Sequence, residues 1–128
     1  VKEMQYSSIP VLGTITAGVP ILAYENIDEY YPLPSSFGNS EELFMLKISG
    51  DSMINAGIND KDIVIVKKQN DAEHNSIVVA LIEESATVKR LIKKNNKICL
   101  MPENPSYSPI FPDNLEILGV VTGLIRKF

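Results

Sequence analysis

Large apolar residues fall in short blocks along this chain, separated by polar clusters. The blocks "ELFMLKIS" (42–49) and "DIVIVKK" (62–68) are nearly unbroken and predict buried strands. "IPVLGTI" (9–15) predicts a short strand that runs into an opening loop. "SIVVALIE" (76–83), "ATVKRLIK" (86–93) and "KICLMP" (97–102) follow one another across the short polar connections "ES" and "KNN". That succession predicts an antiparallel meander. "LEILGVVTGLIRKF" (115–128) supplies one or two closing strands. Only "SMINAGI" (52–58) has a helical character, with Asp51 or Ser52 to cap it and Gly57 to end it after one or two turns. The sum is a mostly-β fold, a curled or barrel-like antiparallel sheet with a short helix. Long loops are expected at 16–41 and 103–114.

Length and composition narrow the class. A chain of 128 residues fits one domain and can bury a core without staples. No apolar run approaches the ~18 residues that a membrane helix needs. The start, "VKEMQYSSIP", has no apolar signal-peptide core. It begins with Val, which reads as a processed or partial chain lacking a preceding domain. The single Cys99, in "KICLM", rules out a disulfide within the chain and points to a reducing cytoplasm, with Cys99 itself a small buried hydrophobe.

Charge and histidine content remove further classes. A net charge of −4 argues against a domain that grips nucleic acid through its phosphates. The local basic run "KRLIKKNNK" (89–97) alternates with apolar residues and reads as the wet face of a hairpin. The one histidine, His74, lies in the polar stretch "NDAEHNS" and reads as a surface residue. A two-histidine metal site cannot be built, and a Ser-His-Asp triad has no apolar setting to hold its base. No metal and no cofactor are expected. Any acid–base chemistry must come from carboxylates, lysine or tyrosine.

Three stretches carry candidate chemistry. In "ISGDSMINAGI" (48–58) a buried strand ends at Ser49-Gly50 and a turn then presents Ser52 at the head of a short helix. Backbone N–H groups at such a start are unpaired and can hold a developing oxyanion. The plainer reading of Ser52 is a helix cap. A nucleophilic serine needs a base. Of the lysines, Lys89 alone sits mid-strand among Val88, Leu91 and Ile92, whereas the adjacent Arg90 cannot lose its proton. Burial would pull the pKa of Lys89 down; the plainer reading is a lysine snorkelling from a strand edge. In "ITAGVPI" (15–21) the small residues Ala17 and Gly18 stand ahead of a proline, which fits a plain turn, a hinge or a bond meant to be cut.

Taken together, these residues resemble the self-cleaving C-terminal domain of the bacterial LexA repressor family. The matching pieces are "VLGTITAGVPILAYENIDEYYPLP", "SGDSMINAGINDKDIVIV", "ATVKRL", "MPENPSYSPI" and "ILGVVTGLIR". They cover nearly the whole chain in the family's order. The spacings match too, 34 residues from Gly18 to Ser52 and 37 from Ser52 to Lys89.

The resemblance implies a Ser-Lys peptidase with Ser52 as nucleophile and Lys89 as base, cutting its own Ala17-Gly18 bond. Ile15 and Val19 would contact the site as part of the substrate loop, and the backbone N–H groups of Ser52 and Asp51 would form the oxyanion hole. It also divides the chain into a linker remnant (1–8), a cleavage-site region (9–41) and a catalytic core (42–128), and implies the LexA/signal-peptidase type of fold. The partners implied are a second copy of the chain through "TGLIRKF" (122–128), a RecA filament on single-stranded DNA, and operator DNA reached through an N-terminal domain absent here. Two relatives compete with this reading: UmuD-like mutagenesis subunits, which tend to have Cys-Gly at the scissile bond, and phage repressors. The rival from another class is a dimerisation module without catalysis.

Overall fold

The computed structural model describes residues 5–15 and 18–128. Among these residues, eight strands form one sheet: β1 (Tyr6–Leu12), β2 (Ile27–Pro34), β3 (Leu43–Lys47), β4 (Ile63–Lys68), β5 (Ile77–Ile82), β6 (Ser85–Lys94), β7 (Lys97–Met101) and β8 (Glu116–Ile125). Their order across the sheet is β2-β1-β3-β4-β8-β5-β6-β7. The mostly-β expectation holds, as does the meander, since β5, β6 and β7 pair antiparallel in turn. The 115–128 segment forms a single strand that joins the two halves of the sheet, pairing with β4 on one side and β5 on the other.

Alternation explains why the central runs are apolar throughout. Phe44 and Leu46 of β3, Val64 and Val66 of β4 and Val79 of β5 enter one core cluster. Met45 and Ile65, their neighbours in sequence, enter a second, and Val78 and Ala80 a third. A strand covered on both faces has no polar side to show. Each fully buried Leu, Ile or Phe contributes roughly 1.5–3 kcal/mol relative to exposure.

The structure corrects four expectations. The 16–41 segment is not all loop, because it contains β2, which pairs with β1 at the sheet's edge. Pro32 and Pro34 disguise this strand in the sequence, and an edge strand tolerates prolines because one row of its N–H groups needs no partner. β1 begins at Tyr6, earlier than expected, and includes Pro10. The sheet is mixed, since β1 and β3 run parallel through Val11 and Leu12. The helix expected over 52–58 shrinks to one 3₁₀ turn, Ile54–Ala56. Met53, not Asp51 or Ser52, stands at its cap position and no side chain caps it. Gly57 ends the turn as expected, at φ 80°.

Curvature comes from bulges. Register shifts leave Asp28 of β2 and Leu118 and Thr122 of β8 without a directly opposite partner. Each such extra residue bends its strand and adds twist. Gly119, between the two β8 bulges, is required by close approach: a β-carbon there would lie 2.5 Å from the Lys67 carbonyl oxygen. This curl brings the turn after β3 against β6.

Candidate active site

Ser52 lies in the turn after β3, just past Gly50 at φ 94°, a conformation that favours glycine. Lys89 lies mid-strand in β6, opposite Val78 of β5. The sequence separates the two residues widely; the fold puts Lys89 Nζ 3.0 Å from Ser52 Oγ. The amine is buried, at 8% exposure. It also hydrogen-bonds Thr87 Oγ1 and donates to the Val88 carbonyl at 3.1 Å.

Electrostatics favours an uncharged amine. Burial strips water from the ammonium form and pushes the Lys89 pKa below its ordinary 10.5. None of the ion pairs among the described residues involves Lys89. Its neighbours are hydroxyls and a carbonyl, which are dipoles, so no full charge offsets the desolvation. A neutral amine keeps two N–H donors and gains a lone pair. With the donors on Thr87 and Val88, the lone pair can accept from the Ser52 hydroxyl.

The pair opens into a cleft of about 320 Å³. Ser52, Met53, Lys89, Thr87 and Glu84 line it, together with Thr14 and Ile15 from the segment after β1. Ile15 is buried and packs with Leu46, Met53 and Val88. Ile15 therefore lines the cleft that Ser52 and Lys89 open into. Gly18 is exposed with φ 87°, and Val19 is half-buried; neither lines this cleft. Ala17 lies outside the described residues.

The backbone N–H groups of Asp51 and Ser52 make no hydrogen bond to the described residues. The Asp51 carboxylate accepts from the Tyr107 hydroxyl at 2.6 Å, and that bond raises the Tyr107 pKa. Two groups of residues around the site were missed by sequence reasoning. Thr87 was detectable in principle, because residues two apart in a strand share a face. Glu103, Asn104 and Tyr107 sit in "MPENPSYSPI", where no local pattern marks their contacts with the Ser52 turn.

Other candidates fall where the sequence put them. His74 is exposed, its Nδ1 accepting the Lys93 N–H at 3.0 Å. Cys99 is buried and free, and burial raises its pKa. The basic run forms the β6–β7 hairpin, turned by Asn95 and Asn96 at φ 52° and 61°. Among the described residues no group of three or more His, Cys, Asp or Glu is placed to hold a metal ion. No helix among them is long and apolar enough to cross a membrane.

Known proteins resemble the chain over nearly its whole length. The chain is 52% identical over 126 residues to the LexA repressor of Pelotomaculum thermopropionicum, covering 98% of this chain and 62% of that protein. It is 52% identical over 128 residues to the LexA repressor of Bacillus velezensis, with the same two coverages. The LexA repressor of Clostridium acetobutylicum is 48% identical over 129 residues, covering all of this chain and 63% of that protein. The chain therefore spans a little over three fifths of the length of these relatives. The Peptidase S24-like family profile matches residues 10–122, the strands and turns that carry Ser52 and Lys89 included, and the chain belongs to that family.

Proposed function

We propose that this chain is the self-cleaving and dimerising part of an SOS-response transcriptional repressor. Neutral Lys89 takes the proton of Ser52, whose Oγ attacks the Ala17 carbonyl carbon. The N–H groups of Ser52 and Asp51 receive the oxyanion. Lys89 returns the proton to the Gly18 amine as the peptide bond breaks, and water hydrolyses the acyl-enzyme to restore Ser52. The observation that carries this reading is the 3.0 Å contact between a buried lysine amine and a serine hydroxyl. The seating of Ile15 in the same cleft supports it, since it brings the chain to within two residues of the scissile bond. Tethering makes the attack intramolecular, and well-oriented intramolecular reactions reach effective molarities of ~10⁵ M or more.

Regulation then rests on how often the loop docks, and a RecA filament on single-stranded DNA would favour the docked state. The homodimer would use the end of β8. Glu116 and Ile117 pair with β5, Gly119 and Val120 with both β5 and β4, and from Val121 to Ile125 the strand pairs with β4 alone. That leaves one strand edge for a second copy, beside an exposed Phe128 and a partly exposed Leu124. Dimerising would bring two N-terminal DNA-reading domains onto a palindromic operator, and scission would separate reader from dimeriser.

The test is incubation of the purified chain at alkaline pH, followed by mass spectrometry. A product beginning at Gly18 is expected from the wild type, with Ser52→Ala and Lys89→Ala both folded and intact. An intact wild-type mass after long incubation would favour the non-catalytic module. Cleavage by Lys89→Ala would remove the base.

A further inference from the structure

The turn that carries Ser52 is pinned from within by main-chain bonds such as Ala56 N–H to the Met53 carbonyl and Gly57 N–H to the Ile54 carbonyl, and by the buried Met53 and Ile58. Its 3₁₀ segment has no side-chain cap, and Asp51, Ile54, Asn55 and Gly57 are exposed. It is also held from outside, by the segment that follows β7. The Glu103 N–H donates to the Ser52 carbonyl at 2.8 Å, and the Glu103 carbonyl accepts the Asn55 N–H at 2.8 Å. Asn104 Nδ2 donates to the Asp51 carbonyl at 2.9 Å, and the Tyr107 hydroxyl donates to the Asp51 carboxylate.

Glu103 does more than brace the turn. Its carboxylate takes the Nε–H of Arg90, the residue next to Lys89 in β6. Arg90 in turn donates through Nη1 to the Asn75 carbonyl at 2.6 Å, which fixes the guanidinium from its other end. One residue therefore grips the main chain at the nucleophile and at Asn55 with its backbone, and the strand of the base with its side chain. Glu103 does not line the cleft, so it has no direct part in the chemistry.

We propose that Glu103 is a positioning residue, which sets the Ser52–Lys89 contact by tying the nucleophile turn to Arg90 of β6. This rests on the self-cleavage reading. A displacement of about 1 Å at reacting groups can cost ~10²-fold in rate. Loss of the lateral tie, with the two main-chain bonds kept, is expected to cost about tenfold, a part of that range.

The experiment compares the wild type with Glu103→Met, Arg90→Met, the double variant and Glu103→Gln. Two rates are read for each, normalised to the folded fraction by circular dichroism. One is self-cleavage on its high-pH plateau, where the lysine is neutral in every variant and titration drops out. The other is labelling of Ser52 by diisopropyl fluorophosphate, in which the Ser52 Oγ–P bond forms, fluoride leaves and Lys89 takes the proton. Labelling needs the pair but not the cleavage loop. Both single Met variants should lose about tenfold in both rates. The double variant should lose no more than either single, because one link is being cut twice. Glu103→Gln, which keeps an acceptor for Arg90, should recover most of the rate.

Wild-type labelling by Glu103→Met would overturn the proposal, as would losses that multiply in the double variant. If Glu103→Met does not fold, Arg90→Met bears the same expectation and the same refutation. Failure of the underlying reading looks different: the wild type would then stay intact, or Lys89→Ala would cleave itself as the wild type does.

Discussion

A lysine amine buried beside a serine hydroxyl costs stability for as long as it must carry a proton. The folded-state pKa of Lys89 lies below 10.5, the value for the unfolded chain. Between those two values the unfolded state binds more protons, so stability rises with pH across that window and is lost as pH falls through it. Lys89→Met removes the penalty. Its midpoint in urea should exceed that of the wild type at neutral pH, and the gap should close as pH rises toward 10.5. A gap that stays constant with pH would mean the amine is not desolvated in the folded chain. Self-cleavage should follow the same titration, rising with pH because the neutral amine is the reactive form. Stability and activity thus rise together with pH, whereas Lys89→Met gains the first by giving up the second.

Strain at the level of the element sits in the β5–β6 hairpin, beside the cleft. Ile82 pairs with Ser85, leaving Glu83 and Glu84 as a two-residue turn. Glu83 has φ 55°, whereas Glu84 does not have a positive φ. Two-residue hairpins ordinarily meet a positive φ at the first position with glycine. A side chain in that region costs roughly 1–2 kcal/mol, of which the greater freedom of an unfolded glycine takes back about 0.5–1. Glu83→Gly should therefore stabilise the chain by about 0.5–1 kcal/mol in urea unfolding. A loss of stability would show that the glutamate side chain holds the turn by some other means. The β6–β7 hairpin handles the same demand better, since Asn95 and Asn96 tolerate it. "KNN" was therefore readable as a tight turn, while β2 was not readable as a strand. Its alternation is interrupted by Pro32 and Pro34, and only pairing with β1 defines it.

Across the whole molecule, the end of the chain is fastened to the turn region that follows the nucleophile. Asp62 is fully buried, and Arg126 donates to both of its carboxylate oxygens at 2.8 Å. Arg126 also donates to the Gly57 carbonyl, and Asp62 accepts the Asn59 N–H. The guanidinium holds the Asp62 carboxyl below its ordinary 3.8. A carboxylate with a depressed folded-state pKa contributes stability that is complete above its unfolded value and lost as pH falls through the folded one. Removing Arg126 leaves a buried charge without a partner, a strongly destabilising change. Arg126→Ala should lower the urea midpoint at pH 7 markedly, and its stability should depend less on pH between about 5 and 2 than that of the wild type. A parallel acid profile in the two proteins would mean the pair is not the origin of the acid sensitivity.

Some of this was fixed by local chemistry and some was not. The apolar blocks by themselves determined a mostly-β chain and the core strands, because short apolar runs bounded by polar turn residues are a local signal. Chain chemistry also singled out Ser52, Lys89 and the Ala17-Gly18 stretch, since a glycine turn, a lysine amid aliphatics and a small-residue loop are each legible one at a time, whereas Ile15 entered only through the family resemblance. Only the tertiary structure decided that β1 and β3 run parallel, that one 3₁₀ turn replaces the expected helix, and that Thr87 and Glu103 belong to the site. Those outcomes depend on which segments meet in space. Curling the sheet brings residues 52 and 89 to 3.0 Å, and no local pattern encodes a distance between strands that the sequence keeps far apart.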